Sequence, residues 1–137
     1  MKNIDCCFLV TGNSKKTYQS LSKTYSAIEP PTWALLLAQS TRASGFKVTI
    51  IDANAEKLSE IDIYKRISDQ SPKLICFVAY GQNVNAGTTN MTGVIDVASY
   101  LKDKKINVPM SIIGSHVQAL PVETLKKEKM IDFIFTN

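Results

Sequence analysis

The stretch SIIGSHVQALPVETL, from Ser111 to Leu125, is the part of the sequence that indicates the fold. An apolar run ends at Gly114-Ser115-His116, and a helix is expected within a few residues of it. Open parallel α/β sheets bind ligands where the chain leaves the carboxyl ends of their strands. The fold and the site therefore depend on whether other strands end at the same edge.

Four further segments are apolar almost throughout, which is typical of strands buried on both faces of a parallel sheet. They are Ile4–Val10, Val48–Ile51, Leu74–Ala79 and Ile131–Phe135, and Pro109–Gly114 completes the set as the fourth strand in chain order. Helical patterns separate them. We predict a doubly wound α/β fold with a five-stranded parallel sheet, flavodoxin-like, in the order 2-1-3-4-5, forming one domain over residues 1–137.

The helix boundaries follow from local signals. Pro30-Pro31 opens the first helix and Gly45 ends it, while Ser59 is the expected N-cap of the second. The polar segment Tyr80–Gly93 is predicted as a loop, so that the third helix begins at about Thr92. Glu123–Glu128 lies in the fourth helix. Lys15–Glu29 is predicted as a long loop that closes over the ligand crevice.

Composition excludes several classes of protein. Apolar residues make up 45% of the chain and charged residues 20%, and the net charge of +4 is spread over scattered lysines, so no nucleic-acid surface is predicted. No apolar run reaches membrane-spanning length and the first residues do not resemble a signal peptide, so a cytoplasmic location is expected. Cys6, Cys7 and Cys76 lie inside strand runs, which predicts reduced core thiols. No cluster of metal-ligand spacing is present, so no metal site is predicted.

The strand order places the ligand crevice between the first and third strands. The residues expected to line it are neutral. They are Thr11, Gly12 and Asn13 after the first strand, Tyr80, Gly81, Gln82 and Asn83 after the third, and Gly114, Ser115 and His116 at the end of the fourth. Such residues suit an uncharged or amide-bearing ligand. No paired carboxylates are present at these strand ends, so no catalytic residue is predicted.

Two residues have alternative interpretations. His116 is either a structural group or a residue that contacts the ligand. The second interpretation is supported by its position after a strand at the predicted binding edge. Trp33 has the spacing of a core residue, yet its position beside Pro30-Pro31 also allows it to border the crevice.

Several segments together resemble the amino-terminal cobalamin-binding domain of cobalamin-dependent radical S-adenosylmethionine enzymes. The family's "PPLGL…LA…L…GHEV…IDA" is similar to Glu29–Pro31, Leu35–Ala38, Ser44–Phe46, Val48 and Ile50–Ala53. Its "GGPH…ALPEETL" is similar to Ile113–Leu125, and its "VDFVV" strand to Ile131–Ile134. Trp33 and Ile113 replace glycines of the family pattern. The resemblance covers essentially the whole chain.

The resemblance implies that a corrin ring lies across the carboxyl ends of the strands, with the nucleotide tail at the sheet edge. Gly114, Ser115 and His116 are the positions that match the family's motif, and the loops at Thr11–Asn13 and Tyr80–Asn83 are carried over with less sequence support. The D-x-H-x-x-G motif of many cobalamin domains is absent from Thr11–Tyr18, which implies that no histidine of this loop ligates cobalt.

The resemblance also implies a partner. Family members continue into a carboxyl-terminal radical S-adenosylmethionine catalytic domain, which holds an iron–sulfur cluster and S-adenosylmethionine. The chain is therefore expected to be a methyltransferase-like accessory domain that is not catalytic alone. Two alternatives remain open: an FMN-binding electron carrier, because Thr11–Ser14 is similar to a flavodoxin phosphate loop, and a cofactor-free substrate-recognition or interaction domain.

Overall fold

A computed structural model describes residues 3–12, 28–81 and 84–136, with the backbone alone for residues 84–86. In chain order its elements are β1 (Cys6–Val10), α1 (Thr32–Ala43), β2 (Val48–Asp52), α2 (Glu60–Gln70), β3 (Leu74–Ala79), α3 (Val84–Asp103), β4 (Met110–Gly114), α4 (Ser115–Ala119), α5 (Pro121–Lys127) and β5 (Phe133–Phe135). Strands and helices alternate, as the apolar runs predicted.

The five strands form one parallel sheet in the order β2-β1-β3-β4-β5, which confirms the predicted topology. Crossovers between parallel strands are right-handed. The chain first moves from β1 outward to β2 and then returns to β3, so α1 lies on one face of the sheet and the later helices on the other. The change of direction falls between β1 and β3, where the crevice was predicted.

Two apolar cores cover the two faces. The larger core joins strand residues such as Leu9 and Phe77 to Ile63 and Ile67 of α2 and to the apolar face of α3. The smaller core lies under α1, where Ala34 and Ala38 pack against Phe8 and Val78. Small side chains at these two positions let α1 approach the sheet closely.

The three cysteines are free and buried in the sheet, as predicted. Cys6 and Cys76 face the smaller core and Cys7 faces the larger one. Burial raises the pKa of Cys6 and Cys7 to about 12 and that of Cys76 to about 11. These thiols therefore stay protonated at neutral pH.

The local helix signals were predicted correctly. Gly45 follows α1 with a φ of +91°, a conformation that glycine adopts without strain. Ser59 caps α2, because its side chain accepts a hydrogen bond from the Asp62 amide while the Asp62 carboxylate accepts one from the Ser59 amide.

The prediction that Tyr80–Gly93 is a loop was wrong, because α3 already begins at Val84. Thr88 and Thr89 are exposed and Gly87 has no side chain, so this half of the helix has no apolar period. Two smaller differences from the prediction concern the end of the chain. The helix α4 begins directly at Ser115, so His116 lies on a helix. The strand β5 begins at Phe133 and not at Ile131. The predicted closing loop falls mostly on residues 13–27, which lie outside the described residues.

No helix in the described part of the chain is both long and apolar enough to cross a membrane.

Candidate functional site

The carboxyl ends of β1, β3 and β4 are neighbours, because β3 pairs with both other strands. Thr11 and Gly12 follow β1, Tyr80 and Gly81 follow β3, and Ser115 follows β4 directly. Seven of the predicted site residues are thus brought to one edge: Thr11, Gly12, Tyr80, Gly81, Gly114, Ser115 and His116. Asn13, Gln82 and Asn83 lie outside the described residues and remain predictions.

The first half of α3 lies along this edge. A β-carbon on Gly87 would come within 1.9 Å of Ser115 Oγ, and one on Gly93 within 2.5 Å of the Gly12 carbonyl oxygen. The helix backbone therefore approaches the end of β4 at one position and the end of β1 at the other. The two glycines were not identified from the sequence as site residues, although glycine within a helix is itself a signal of close packing.

Two hydrogen bonds join α3 to the neighbouring strand ends. The Asn90 side-chain amide donates to the Tyr80 carbonyl oxygen at 3.1 Å. Thr88 Oγ1 lies 3.2 Å from His116 Nδ1, which is within hydrogen-bonding distance. The second contact orients the His116 ring, and both contacts hold the loop after β3 and the start of α4 relative to α3. Neither Thr88 nor Asn90 was predicted from the sequence.

Gly114 has a packing role in this edge. Its φ of 166° is extended, which any residue adopts. A β-carbon at this position would nevertheless lie 2.4 Å from the Ala79 carbonyl oxygen on the neighbouring strand. The glycine is therefore required for the approach of β4 to β3, whether or not a ligand is bound.

The Thr11 hydroxyl is buried without a hydrogen-bond partner among the described residues. Thr11 is only 5% exposed, at the point where β1 ends. An unpaired buried hydroxyl costs about 1–3 kcal/mol, so such atoms are usually satisfied by water or a ligand. Ser68 Oγ and Gln70 Oε1 of α2 are likewise buried without a partner among the described residues, so the Thr11 hydroxyl is distinguished by its position at the end of β1, where water or a polar ligand group could pair with it.

Trp33 and Tyr80 form an aromatic pair at the side of the crevice that α1 covers. Their ring centroids are 4.7 Å apart and their planes differ by 27°, which is a stacked arrangement. Tyr80 is partly buried, and this burial raises the pKa of its phenol above the ordinary value. Trp33 is 51% exposed. The structure thus favours the interpretation in which Trp33 borders the crevice over a place in the core.

The edge carries little charge. The described residues directly after β1, β3 and β4 carry no carboxylate and no ammonium group; they are Thr11–Gly12, Tyr80–Gly81 and Ser115–His116. Asp52 ends β2 at the same edge, but its Oδ1 accepts a hydrogen bond from the Ala55 amide at 2.9 Å and so stabilises a turn. Among the described residues, no group of three or more histidine, cysteine, aspartate or glutamate side chains could hold a metal ion.

Residues 20–136 match the family model of the B12 binding domain. The match covers every element from α1 to β5, while β1 and Thr11–Gly12 precede its first residue. A search of the curated proteins found no match.

Proposed function

Because the chain belongs to the family of B12 binding domains, we propose that it holds cobalamin at the carboxyl ends of β1, β3 and β4 as the accessory domain of a radical S-adenosylmethionine enzyme. Family membership supports cobalamin as the ligand. The association with radical chemistry rests on the resemblance of Glu29–Ala53 and Ile113–Ile134 to that class of enzyme.

The observation that carries the site is the unpaired Thr11 hydroxyl at a neutral strand edge. The corrin periphery bears amides, which pair with hydroxyl and amide groups and need no counter-charge. Thr11 after β1, and Ser115 and His116 after β4, supply hydroxyl and imidazole groups on either side of the end of β3. The residues present therefore fit cobalamin.

Each described residue has a specific task in this proposal. The Thr11 hydroxyl forms a hydrogen bond with a polar group of the ligand, so the hydroxyl is no longer buried without a partner. Thr88 fixes the ring of His116 so that the imidazole presents one orientation to the crevice. Asn90 holds the Tyr80 backbone in place through its carbonyl oxygen. In this proposal the chain binds and orients the ligand.

When bound, cobalamin supplies a cobalt centre that can carry a methyl group. The radical step of such an enzyme belongs to a separate catalytic domain with an iron–sulfur cluster and S-adenosylmethionine. The proposed reaction class is a methyl transfer, and the role of this domain is to present the cofactor to that partner.

The experiment is a visible absorption spectrum of the purified protein after mixing with hydroxocobalamin and desalting. We expect a retained corrin spectrum whose bands are shifted from those of the free cofactor. Loss of all colour on desalting would contradict the proposal. FMN is tested in parallel under the same conditions, and retention of FMN alone would favour the electron-carrier alternative.

The electron-carrier alternative has a structural requirement of its own. A flavodoxin phosphate loop leads directly into a helix whose N-terminus faces the phosphate. The residues that would form such a helix, 13–27, lie outside the described residues, so the FMN arm of the experiment tests this alternative.

The proposed partnership has a separate test. The native protein is isolated anaerobically from its source cells, and iron is measured in the fractions that contain this chain. Iron that comigrates with the chain, in the same polypeptide or in a stable complex, is expected. Chain-containing fractions that hold cobalamin but no iron would leave the binding role in place and overturn the radical partnership.

A further inference from the structure

Trp33 is the single tryptophan of the chain, and it is half exposed although it stacks on Tyr80. A stacked aromatic pair contributes about 0.5–1.5 kcal/mol beyond the area it buries. The stacking covers part of the indole, and Trp33 remains 51% exposed to solvent. The arrangement therefore leaves a large rigid apolar surface at the edge of the candidate site.

The topology explains why this surface faces the site. The chain returns through α1 from the carboxyl edge of the sheet to the amino end of β2, so the first turn of α1 lies at the carboxyl edge. Trp33 is the second residue of that helix, and Tyr80 directly follows β3. The stacked pair thus stands beside the loops that follow β1 and β3.

The sheet face next to this pair is also apolar, and its exposure increases from β3 toward β5. Val78, Ile113 and Phe135 lie side by side on β3, β4 and β5. Val78 and Ile113 belong to the smaller core, on the face of the sheet that α1 covers, and Phe135 remains 46% exposed. Among the described helices, only α1 covers this face. The Trp33–Tyr80 pair therefore stands at the carboxyl end of an apolar sheet face whose outer strand is partly exposed.

We propose that Trp33, supported by Tyr80, forms an aromatic wall of the cobalamin site and contacts the bound ligand directly. This inference rests on the proposed function. Cobalamin is a large ligand with methyl groups, conjugated ring systems and peripheral amides. The indole matches this surface with an apolar ring face and one N–H donor. Trp33 is a specificity-determining residue of the site.

The chain offers a matched control. Phe46 is 53% exposed, close to the 51% of Trp33, and it follows the opposite end of α1 just before the amino end of β2. Replacement of Phe46 by leucine removes a similar exposed aromatic surface from the other edge of the sheet. Any general effect of losing such a ring will appear in both variants.

The first measurement compares the dissociation constants of hydroxocobalamin for wild type, W33L, W33F and F46L by equilibrium dialysis. We expect W33L to bind about fivefold to tenfold more weakly, and W33F to retain most of the affinity because it keeps an aromatic ring. F46L should stay within about twofold of wild type. Thermal unfolding of each variant checks that the fold is kept.

The second measurement needs no substitution. A single tryptophan gives a single indole N–H resonance in the proton–nitrogen correlation spectrum. Contact with the corrin or the nucleotide base should shift this resonance on addition of hydroxocobalamin, through ring currents and hydrogen bonding.

The outcomes separate the inference from the proposed function. Retention of cobalamin by wild type, with an unshifted indole resonance and an unchanged W33L affinity, overturns the aromatic wall alone. Failure of wild type to retain cobalamin overturns both. Equal weakening in W33L and F46L would also count against a contact specific to Trp33.

Discussion

Gly93 of α3 lies so close to Gly12 that a β-carbon on Gly93 would come within 2.5 Å of the Gly12 carbonyl oxygen. The two residues are distant in the sequence, and their contact places the helix directly on the end of β1. The Gly12 oxygen is a backbone atom, so it cannot move aside as a flexible side chain would.

Gly93→Ala should therefore destabilise the protein. Overpacking against a backbone atom costs up to about 3 kcal/mol, whereas alanine's higher helix propensity gains only about 1 kcal/mol. Urea unfolding should show a lower free energy of unfolding for the variant. Thr92→Ala, the adjacent helix position, is the control and should change stability little. A Gly93→Ala protein more stable than wild type would show that α3 does not pack on Gly12 in solution.

The Thr11 hydroxyl provides a prediction in which stability and binding change in opposite directions. Thr11→Val removes a buried hydroxyl that has no partner among the described residues, so the ligand-free protein should gain about 1 kcal/mol of stability. The same variant should bind hydroxocobalamin more weakly, because the ligand loses its hydrogen bond.

Thr124→Val is the matched control for this prediction. Thr124 is also 5% exposed, but its hydroxyl donates to the Leu120 carbonyl oxygen at 2.7 Å. Its replacement should lower stability by about 1 kcal/mol and leave cobalamin affinity unchanged. If both variants lose stability equally, the Thr11 hydroxyl has a partner in the ligand-free protein.

Asp5 should contribute to the loss of stability in acid. Its carboxylate accepts hydrogen bonds from Lys73 Nζ at 2.7 Å and from the Lys47 amide at 2.8 Å. These contacts, with Lys73 the larger cause, hold the pKa of Asp5 below its ordinary value of 3.8. Because the folded-state pKa is depressed, the stabilisation is present above about pH 4 and is lost as the pH falls below 3.8 and through the folded-state pKa.

Asp5→Asn should thus show a smaller difference in unfolding free energy between neutral pH and pH 3 than wild type does. Chemical denaturation at the two pH values measures this difference. Asp69→Asn, at an exposed position of α2, serves as the control. If this difference is the same in wild type and Asp5→Asn, the ion pair of Asp5 with Lys73 does not contribute to the loss of stability in acid.

The buried thiols predict a loss of stability in alkali. Burial raises the pKa of Cys7 from 9.0 to about 12, so the folded protein keeps this proton after the unfolded chain has lost it. Stabilisation is therefore complete below about pH 9 and is lost progressively as the pH rises toward 12. Cys7→Ala should reduce this alkaline dependence, although the smaller side chain also lowers stability at every pH.

The same burial predicts slow chemical modification. A thiol-specific reagent at neutral pH should label the native protein slowly and label it fully after denaturation, because the thiolate is the reactive form. Rapid labelling of the native protein would show that at least one of the cysteines is accessible.

The sequence by itself determined the sheet and several helix ends. Buried parallel strands require apolar residues on both faces, so runs such as Leu74–Ala79 indicated the strands, and their alternation with helical patterns indicated a doubly wound parallel sheet. The cap at Ser59 and the glycine at Gly45 depend on residues within one turn of the helix end, and such local signals can be read directly. The expected neutrality of the site also followed from residue types at strand ends.

The tertiary structure decided the contacts between segments that are far apart in the chain. The first half of α3, from Val84, has no apolar period, because its glycines pack closely at the strand ends while Thr88 and Thr89 are exposed. The stacking of Trp33 on Tyr80 and the contact of Thr88 with His116 depend on how α1, α3 and α4 are placed around the sheet. Local patterns report which element a residue belongs to, whereas the geometry of a binding edge is set by the packing of several elements against one another.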